Sequence, residues 1–393
     1  MATDSDNIKE ENHFESLVAK IVANDAVGLQ ELMKTHNIKT NSEDGSGMTL
    51  LQHASFKGKL EMCQLLIDLG SDPNGGHHEH KYSALHFAAL SGNADVCQLV
   101  LQHGCKMDSL NSVGRTAAQM AAFVGNHHCV SIINNFIPRE DIDHFTRIAG
   151  SRKEPLLPPA SAPAVHRLVM QVNLHPVRVV LTIQKLPLIW ENLSKVKEVL
   201  GQLSEGQMKR GKEANEILSL KYHYLHFLVA MLDKEKQKKN EASLSEMTVH
   251  YAKLLLKQRS SDGFPEYMDN FVRESVKTFP FKDTTVFRQL LTNLSKTKQD
   301  PQSPLAISLL NSCINGQRGF QEDDPCPTCG QEKAAMKCSQ CKAVRYCDRE
   351  CQKLHWPLHK KECHVLAKDF QSLQIQSTEQ VNESKADDQH LSN

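Results

Sequence analysis

A chain of 393 residues, 40% hydrophobic and 23% charged, exceeds what one hydrophobic core usually serves, so two or three domains are expected. Its 46 basic and 46 acidic side chains leave no net charge, which argues against bulk attraction to nucleic acid or to an anionic membrane. The opening MATDSDNIKEENHF is acidic and polar where a secretory signal needs a basic start and an apolar run. No stretch approaches the roughly 18 apolar residues of a spanning helix, so the expectation is a cytoplasmic chain without direct membrane insertion. In a reducing compartment clustered cysteines serve as metal ligands rather than disulfides.

Taken in chain order, residues 1–13 read as a disordered start, and 14–44 show helical apolar spacing. A repeat of 33 to 34 residues then sets in: TLLQHA begins at Thr49, SALHFA at Ser83 and TAAQMA at Thr116, with Gly58, Gly92 and Gly125 each nine positions later. These stretches resemble the T-P-L-H-x-A signature of ankyrin repeats. The resemblance implies repeats over 45–78, 79–111 and 112–140, with 14–44 as a degenerate capping unit. Two features depart from the signature: proline is missing from all three units, and Gln52 and Gln119 stand where only His86 keeps the histidine. Cys63 and Cys97 share one repeat position 34 apart, which reads as core packing rather than redox chemistry. The HHEH run at 77–80 reads as a solvated turn between units rather than a metal site.

EPLLPPASAPA, 154–164, reads as a proline-rich hinge. From 165 to 318 the pattern is helical, with breakers such as SSDGFP and QDPQSP, and predicts about seven helices in one α-helical middle domain. GQLSEGQMKRGK lacks the lysine and hydroxyl residue that a phosphate-binding loop places after its second glycine, so no nucleotide site is expected. The fold class is mainly α.

Near the end, Cys326 and Cys329, Cys338 and Cys341, Cys347 and Cys351, then His359 and Cys363 form four closely spaced pairs. CxxC turns bring two sulfurs to one metal, and a separation of four on a helix puts two side chains on one face. Eight ligands make two tetrahedral sites for structural Zn²⁺, closed to water and substrate, in a segment too small to fold without metal. Order and spacing, with RYC before the fifth ligand and HWPLHKKEC at the end, resemble the MYND finger over 326–363. That resemblance implies cross-brace ligation, with Cys326, Cys329, Cys347 and Cys351 on one zinc and Cys338, Cys341, His359 and Cys363 on the other. His355 and His364 fall outside the pattern. Between 326 and 365 eight basic face four acidic side chains, and the seven thiolates and two divalent ions nearly cancel the surplus, a poor footprint for DNA. The resemblance further implies a protein-interaction module that takes proline-containing peptides, with groove residues mapping onto Ser339, Gln352 and Trp356. Trp356 either anchors such a ligand or packs the finger's small core.

Ankyrin repeats, a helical middle containing RSSDGFP (259–265) and a MYND finger together resemble the ankyrin-repeat and MYND-domain-containing proteins. The resemblance implies a non-catalytic adaptor in the trafficking of signalling proteins, adenylyl cyclases among them, to the cilium. It also implies an effect on hedgehog signalling and a membrane-anchored FK506-binding immunophilin as partner. Two other functions compete with it. A MYND-dependent transcriptional corepressor lacks a basic localisation run. A SET-type lysine methyltransferase is suggested only by NHHC at 126–129, which falls inside an ankyrin repeat. The polar tail, 372–393, reads as disordered.

Overall fold

The computed structural model describes residues 4–150, 152–211, 214–238, 243–316, 325–332 and 334–372. The chain starts as a helix, α1 (Asp4–Ala23), where disorder over 1–13 was expected. Good helix formers such as Lys9, Glu10 and Glu11 carry the backbone into the register that buries Phe14, Leu17 and Ile21. Helix α2 (Ala26–Thr35) is capped by Asp25, whose carboxylate accepts from the Gly28 N–H at 2.8 Å.

Three helix pairs follow: α3 (Leu50–Phe56) and α4 (Leu60–Asp68), α5 (Ala84–Ser91) and α6 (Ala94–Gln102), α7 (Ala117–Phe123) and α8 (His127–Asn135). Each first helix opens on a capping box at the repeated position, Thr49 with Gln52, Ser83 with His86, Thr116 with Gln119. The box explains why glutamine replaces histidine. Gln52 Oε1 accepts from the Thr49 N–H at 2.9 Å while its Nε2 donates to the Gly75 carbonyl at the end of its own unit and to the Tyr82 carbonyl in the next. His86 does the same work with a ring, accepting at Nδ1 from the Ser83 N–H and donating from Nε2 to the Arg115 carbonyl at 3.1 Å. Gly58, Gly92 and Gly125 take φ of 64°, 75° and 82°, the left-handed turn that lets the second helix fold back. Asn93 then donates to the Gly58 carbonyl and Asn126 to the Ala89 carbonyl, tying each unit to the one before. Cys63 and Cys97 are fully buried in this stack, and burial pushes the Cys63 thiol up to about 11.

The proline-rich stretch 154–164 is no hinge. Leu157 and Ala162 are buried, the Leu157 N–H donates to the Phe145 carbonyl, and Pro159 and Pro163 sit in the first turns of a 3-10 turn and of α10 (Ala162–Val169). Fixed φ and a missing donor suit prolines to helix starts, so they launch the middle domain rather than space it. Among the described residues the expected seven helices are nine: α10, then α11 (Pro176–Gln184), α12 (Pro187–Glu191), α13 (Leu193–Met208), α14 (Glu216–Lys238), α15 (Leu244–Leu255), α16 (Glu266–Lys277), α17 (Thr285–Lys296) and α18 (Ala306–Asn315). A short α9 (Arg139–Asp143) joins them to the repeats.

Helices α13 and α14 run antiparallel, since Ser204 meets Ser219, the Lys197 carbonyl meets His226 and Ser194 meets Asp233. The RSSDGFP stretch closes into a tight loop in which Asp262 holds both Arg259 and the Phe264 N–H, burying the Phe264 ring. Buried Asp269 pairs with Arg273 at 2.7 Å and accepts from the Ala306 N–H at 2.7 Å, capping α18. The other end of α18 is held by the last repeat, where Ser131 donates to the Asn315 carbonyl and Asn134 to that of Ile314. No helix of the described residues is long and apolar enough to cross a membrane. The expected disordered tail lies, but for Ser372, outside the described residues, and 363–372 are helical.

Candidate metal centre and interaction faces

The finger is built from two turns, a short hairpin and a helix. In the first turn the Gly330 N–H donates to the Cys326 carbonyl, and Gly330 at φ 65° folds the chain so that Cys326 and Cys329 project together. The second turn joins Cys338 and Cys341 beside the antiparallel pair β1 (Met336–Lys337) and β2 (Arg345–Tyr346), where Lys342 adopts φ 60°. Asp348 caps α19 (Arg349–His359) by accepting from the Cys351 N–H at 2.8 Å, which sets the rotation that aims Cys351 and His359 inward.

Two sets of four donor atoms result, Cys326, Cys329, Cys347 and Cys351 in one and Cys338, Cys341, His359 and Cys363 in the other, each within 4.8 Å of one another. The sulfurs of Cys329 and Cys347 lie 3.3 Å apart, those of Cys351 and Cys329 3.7 Å, those of Cys338 and Cys363 3.9 Å, and Cys341 Sγ is 3.5 Å from His359 Nε2. A tetrahedron with metal–sulfur arms of about 2.3 Å has edges of about 3.8 Å, and these separations suit four-coordinate ions. Seven of the eight ligands are buried and Cys347 is partly so. The Cys326 thiol is pulled well down by thiol hydrogen bonds from Cys329 and Cys351. Burial opposes ionisation of Cys338, but the N–H groups of Cys341 and Gln340 still bring it to about 6. Each set therefore already favours one thiolate, the form a metal needs.

His355 and His364 join neither set. His355 Nδ1 lies 3.1 Å from the Tyr346 hydroxyl and its ring stacks beside His359, while His364 is exposed. His127, His128 and Cys129 of the NHHC run sit in α8, with Cys129 buried in the repeat core. Ser339, Gln352 and Trp356 are brought around one depression of about 320 Å³ with Cys338, Gln340 and Lys353. Trp356 is 40% exposed there and rests its ring edge against His359, so it is not a core residue.

Sequence reasoning missed how firmly the finger is docked. Asn173 donates to the Cys329 carbonyl at 3.0 Å, the His175 ring packs on Gly330, and α19 leans on α15. Burial pushes His175 down to about 4, keeping a neutral ring beside the first turn. The ligand cysteines, Tyr346 and Leu354 belong to the same hydrophobic core as α10 to α18, while the repeats hold a core of their own. It also missed Lys221 on α14, fully buried, with no hydrogen-bond partner for Nζ among the described residues and lowered to about 7 by burial. A lysine amid a long helical run gives no sequence signal of burial.

Comparison with known proteins agrees with this geometry. Residues 326–363 match the MYND finger family model, and 16–111 match the model for three copies of ankyrin repeats. Dauer abnormal formation protein 25 of Caenorhabditis elegans is 34% identical over 353 residues, covering 89% of this chain and 90% of that protein. The E3 ubiquitin-protein ligase hecd-1 of the same organism is 38% identical over 105 residues, 27% of this chain but 4% of the ligase. The SET domain and MYND-type zinc finger protein 6 of Schizosaccharomyces pombe is 48% identical over 42 residues, 10% of this chain and 9% of that protein. The last two likenesses cover 27% and 10% of this chain, whereas the first covers 89% of it. The chain therefore belongs to the family of Dauer abnormal formation protein 25, in which ankyrin repeats and a MYND finger, both protein-interaction modules, are joined in one adaptor.

Proposed function

We propose that the chain is a non-catalytic, cytoplasmic adaptor whose concave ankyrin face and finger groove hold different proteins. Two structural Zn²⁺, held by Cys326, Cys329, Cys347 and Cys351 and by Cys338, Cys341, His359 and Cys363, stabilise the finger and take no part in chemistry, because each has four protein ligands. The groove at Ser339, Gln352 and Trp356 takes a proline-containing peptide, with Trp356 as its anchor. By likeness to ankyrin-repeat and MYND-domain-containing proteins, the cargo includes signalling proteins bound for the cilium, adenylyl cyclases among them. The same likeness suggests an effect on hedgehog signalling and a membrane-anchored FK506-binding immunophilin as partner.

The single observation behind this reading is the exposed Trp356, itself no ligand, in a depression it shares with Ser339 and Gln352 beside the ligand Cys338. Trp356→Ala should leave both metal sites filled and weaken a proline-containing partner about 10- to 100-fold. Proximity labelling in ciliated cells with Trp356→Ala and with ankyrin-tip variants should lose two different partner sets, and cyclase delivery to the cilium should fail for at least one class. Full delivery by both would move the cargo site to the helical middle and end this reading.

A further inference from the structure

The two ligand sets face different parts of the molecule. The turn between Cys326 and Cys329 is held against the middle domain, where Asn173 donates to the Cys329 carbonyl at 3.0 Å and the His175 ring packs on Gly330. The second set borders the groove. Its ligand Cys338 lines the depression, and its ligand His359 meets the Trp356 ring edge-on at 6.0 Å. Cys351 of the first set is the sequence neighbour of Gln352 but does not line the depression. A further link between the second set and the groove runs through Gln340, which is not a ligand.

Gln340 sits between Cys338 and Cys341, is exposed, and lines the groove beside Ser339. Its backbone N–H points at the Cys338 sulfur. Its side chain reaches a different ligand of the same set: Cys363 Sγ donates to Gln340 Oε1 at 3.6 Å. Gln340 Nε2 has no hydrogen-bond partner among the described residues. One side chain thus touches a buried metal ligand and forms part of the groove's wall.

That bond runs from sulfur to oxygen, which suits a thiol. A sulfur that holds a metal is a thiolate, which accepts hydrogen bonds and donates none. An amide oxygen beside it sets two acceptors against each other, whereas an amide nitrogen makes a charge-assisted bond. The terminal torsion of glutamine is broad and nearly two-fold, so exchanging the two ends costs little. When an ion takes the Cys363 sulfur and the thiol proton leaves to water, the amide turns Nε2 to the sulfur and frees Oε1 to accept from a ligand in the groove.

We infer that Gln340 couples the second metal to the groove, donating from Nε2 to the metal-bound Cys363 thiolate and accepting with Oε1 from a backbone N–H of the bound peptide. The inference rests on the adaptor reading above and deepens it. Peptide and second ion strengthen each other's binding by the same factor, as linkage requires, and the first ion, held toward the middle domain, takes no share. The peptide residue that meets Gln340 is not proline, because proline has no N–H to give.

The test uses the full chain loaded with cadmium, whose NMR resonances separate a four-sulfur site from one with three sulfurs and a nitrogen, and titrates it with EDTA. Gln340→Ala should lose the mixed-donor ion at about tenfold lower chelator and leave the four-sulfur ion unchanged. Gln340→Lys, which keeps a donor but no acceptor, should restore retention of that ion. Gln340 is exposed, so unchanged circular dichroism melting will show that the variants fold. Fluorescein-labelled peptides of about ten residues, built of proline, leucine and serine, have each non-proline residue N-methylated in turn. One methylation should weaken binding to the wild-type chain about three- to tenfold and have no effect on Gln340→Ala or Gln340→Lys. The unmethylated peptide should protect the mixed-donor ion alone, and only in the wild-type chain. Equal release of both ions from Gln340→Ala and wild type, equal protection of both ions by peptide, or no methylation whose effect depends on Gln340 overturns the inference and leaves the groove reading standing. Failure of every peptide to bind the wild-type chain ends the groove reading and the coupling with it.

Discussion

The repeats and the remainder of the molecule are both almost wholly helical, yet they are held together on different length scales. In the repeats the cross-unit bonds join neighbours: Gln52 reaches Tyr82 over 30 positions and Asn126 reaches Ala89 over 37. In the remainder Asn173 reaches Cys329 over 156 positions and the Leu174 N–H reaches Asn311 over 137. The first region is a linear array in which each unit depends on the next. The second is one body whose last-made element, the finger, lies in the same core as the helices. A module name therefore says little about independence: the finger is a family unit by sequence and a wall of the middle domain by packing.

Metal removal is the strongest way to break that comparison. Structural zinc contributes about 10 to 16 kcal/mol of apparent folding energy in finger peptides, and here its ligands share a core with nine helices. Cys341→Ala, or a chelator, should abolish the finger and also lower the melting temperature of the middle domain, while the repeats, with their own core, keep their transition. Ala88→Asp should do the reverse: it buries an unpaired charge where Ala88 is wholly enclosed, costs several kcal/mol and leaves both metals bound. Calorimetry with metal analysis checks both. A chelated protein whose helical middle melts unchanged would falsify the fused core.

Lys221 sharpens the contrast, because it places a lysine with no hydrogen-bond partner among the described residues inside the larger body. Its pKa falls from the ordinary lysine value of 10.5 to about 7 in the fold, through burial alone. The depressed value means the unfolded state holds the proton between those limits and the folded state does not, so stability rises with pH from about 7 to 10.5. Below 7 both states are charged and the full cost is present. Lys221→Met keeps the volume and removes the charge, and should stabilise the protein at neutral pH by a few kcal/mol while erasing that slope in denaturant titrations. A slope that survives in Lys221→Met assigns it to other groups.

The repeat, its glycine offsets and the paired ligands were legible in the sequence because each is a local pattern fixed by backbone geometry or by a metal's demand for donors. The interleaving of ligands came only through family likeness, since spacing alone pairs neighbours. What sequence did not carry was whatever depends on distant partners. Prolines 155 to 163 look like a spacer until Leu157 is seen buried, and in the HHEH run, otherwise exposed, His78 alone packs against Tyr82 and Phe87. Residues 4–13 have helix formers but no apolar stripe, so their helix follows from the register of Phe14 and Leu17 downstream.

The smallest effect probes the array's linearity through one repeat position occupied by the same residue twice. Gln52 is buried and bonds its own cap, the Gly75 carbonyl at the end of its unit and the Tyr82 carbonyl of the next. Gln119 makes only the cap contact, accepting from the Thr116 N–H at 3.0 Å, and is exposed because the helix pairs end with its own unit. Gln119→Ala should then cost about 0.5 to 1 kcal/mol, the value of a cap bond lost in water. Gln52→Ala loses that and leaves two partly buried carbonyls without this donor, about 1 kcal/mol more. Urea melts of the two variants, with m unchanged, measure the difference directly. Equal losses would mean that these two bonds of Gln52 contribute nothing net, and that the array is held by apolar stacking of its helices alone.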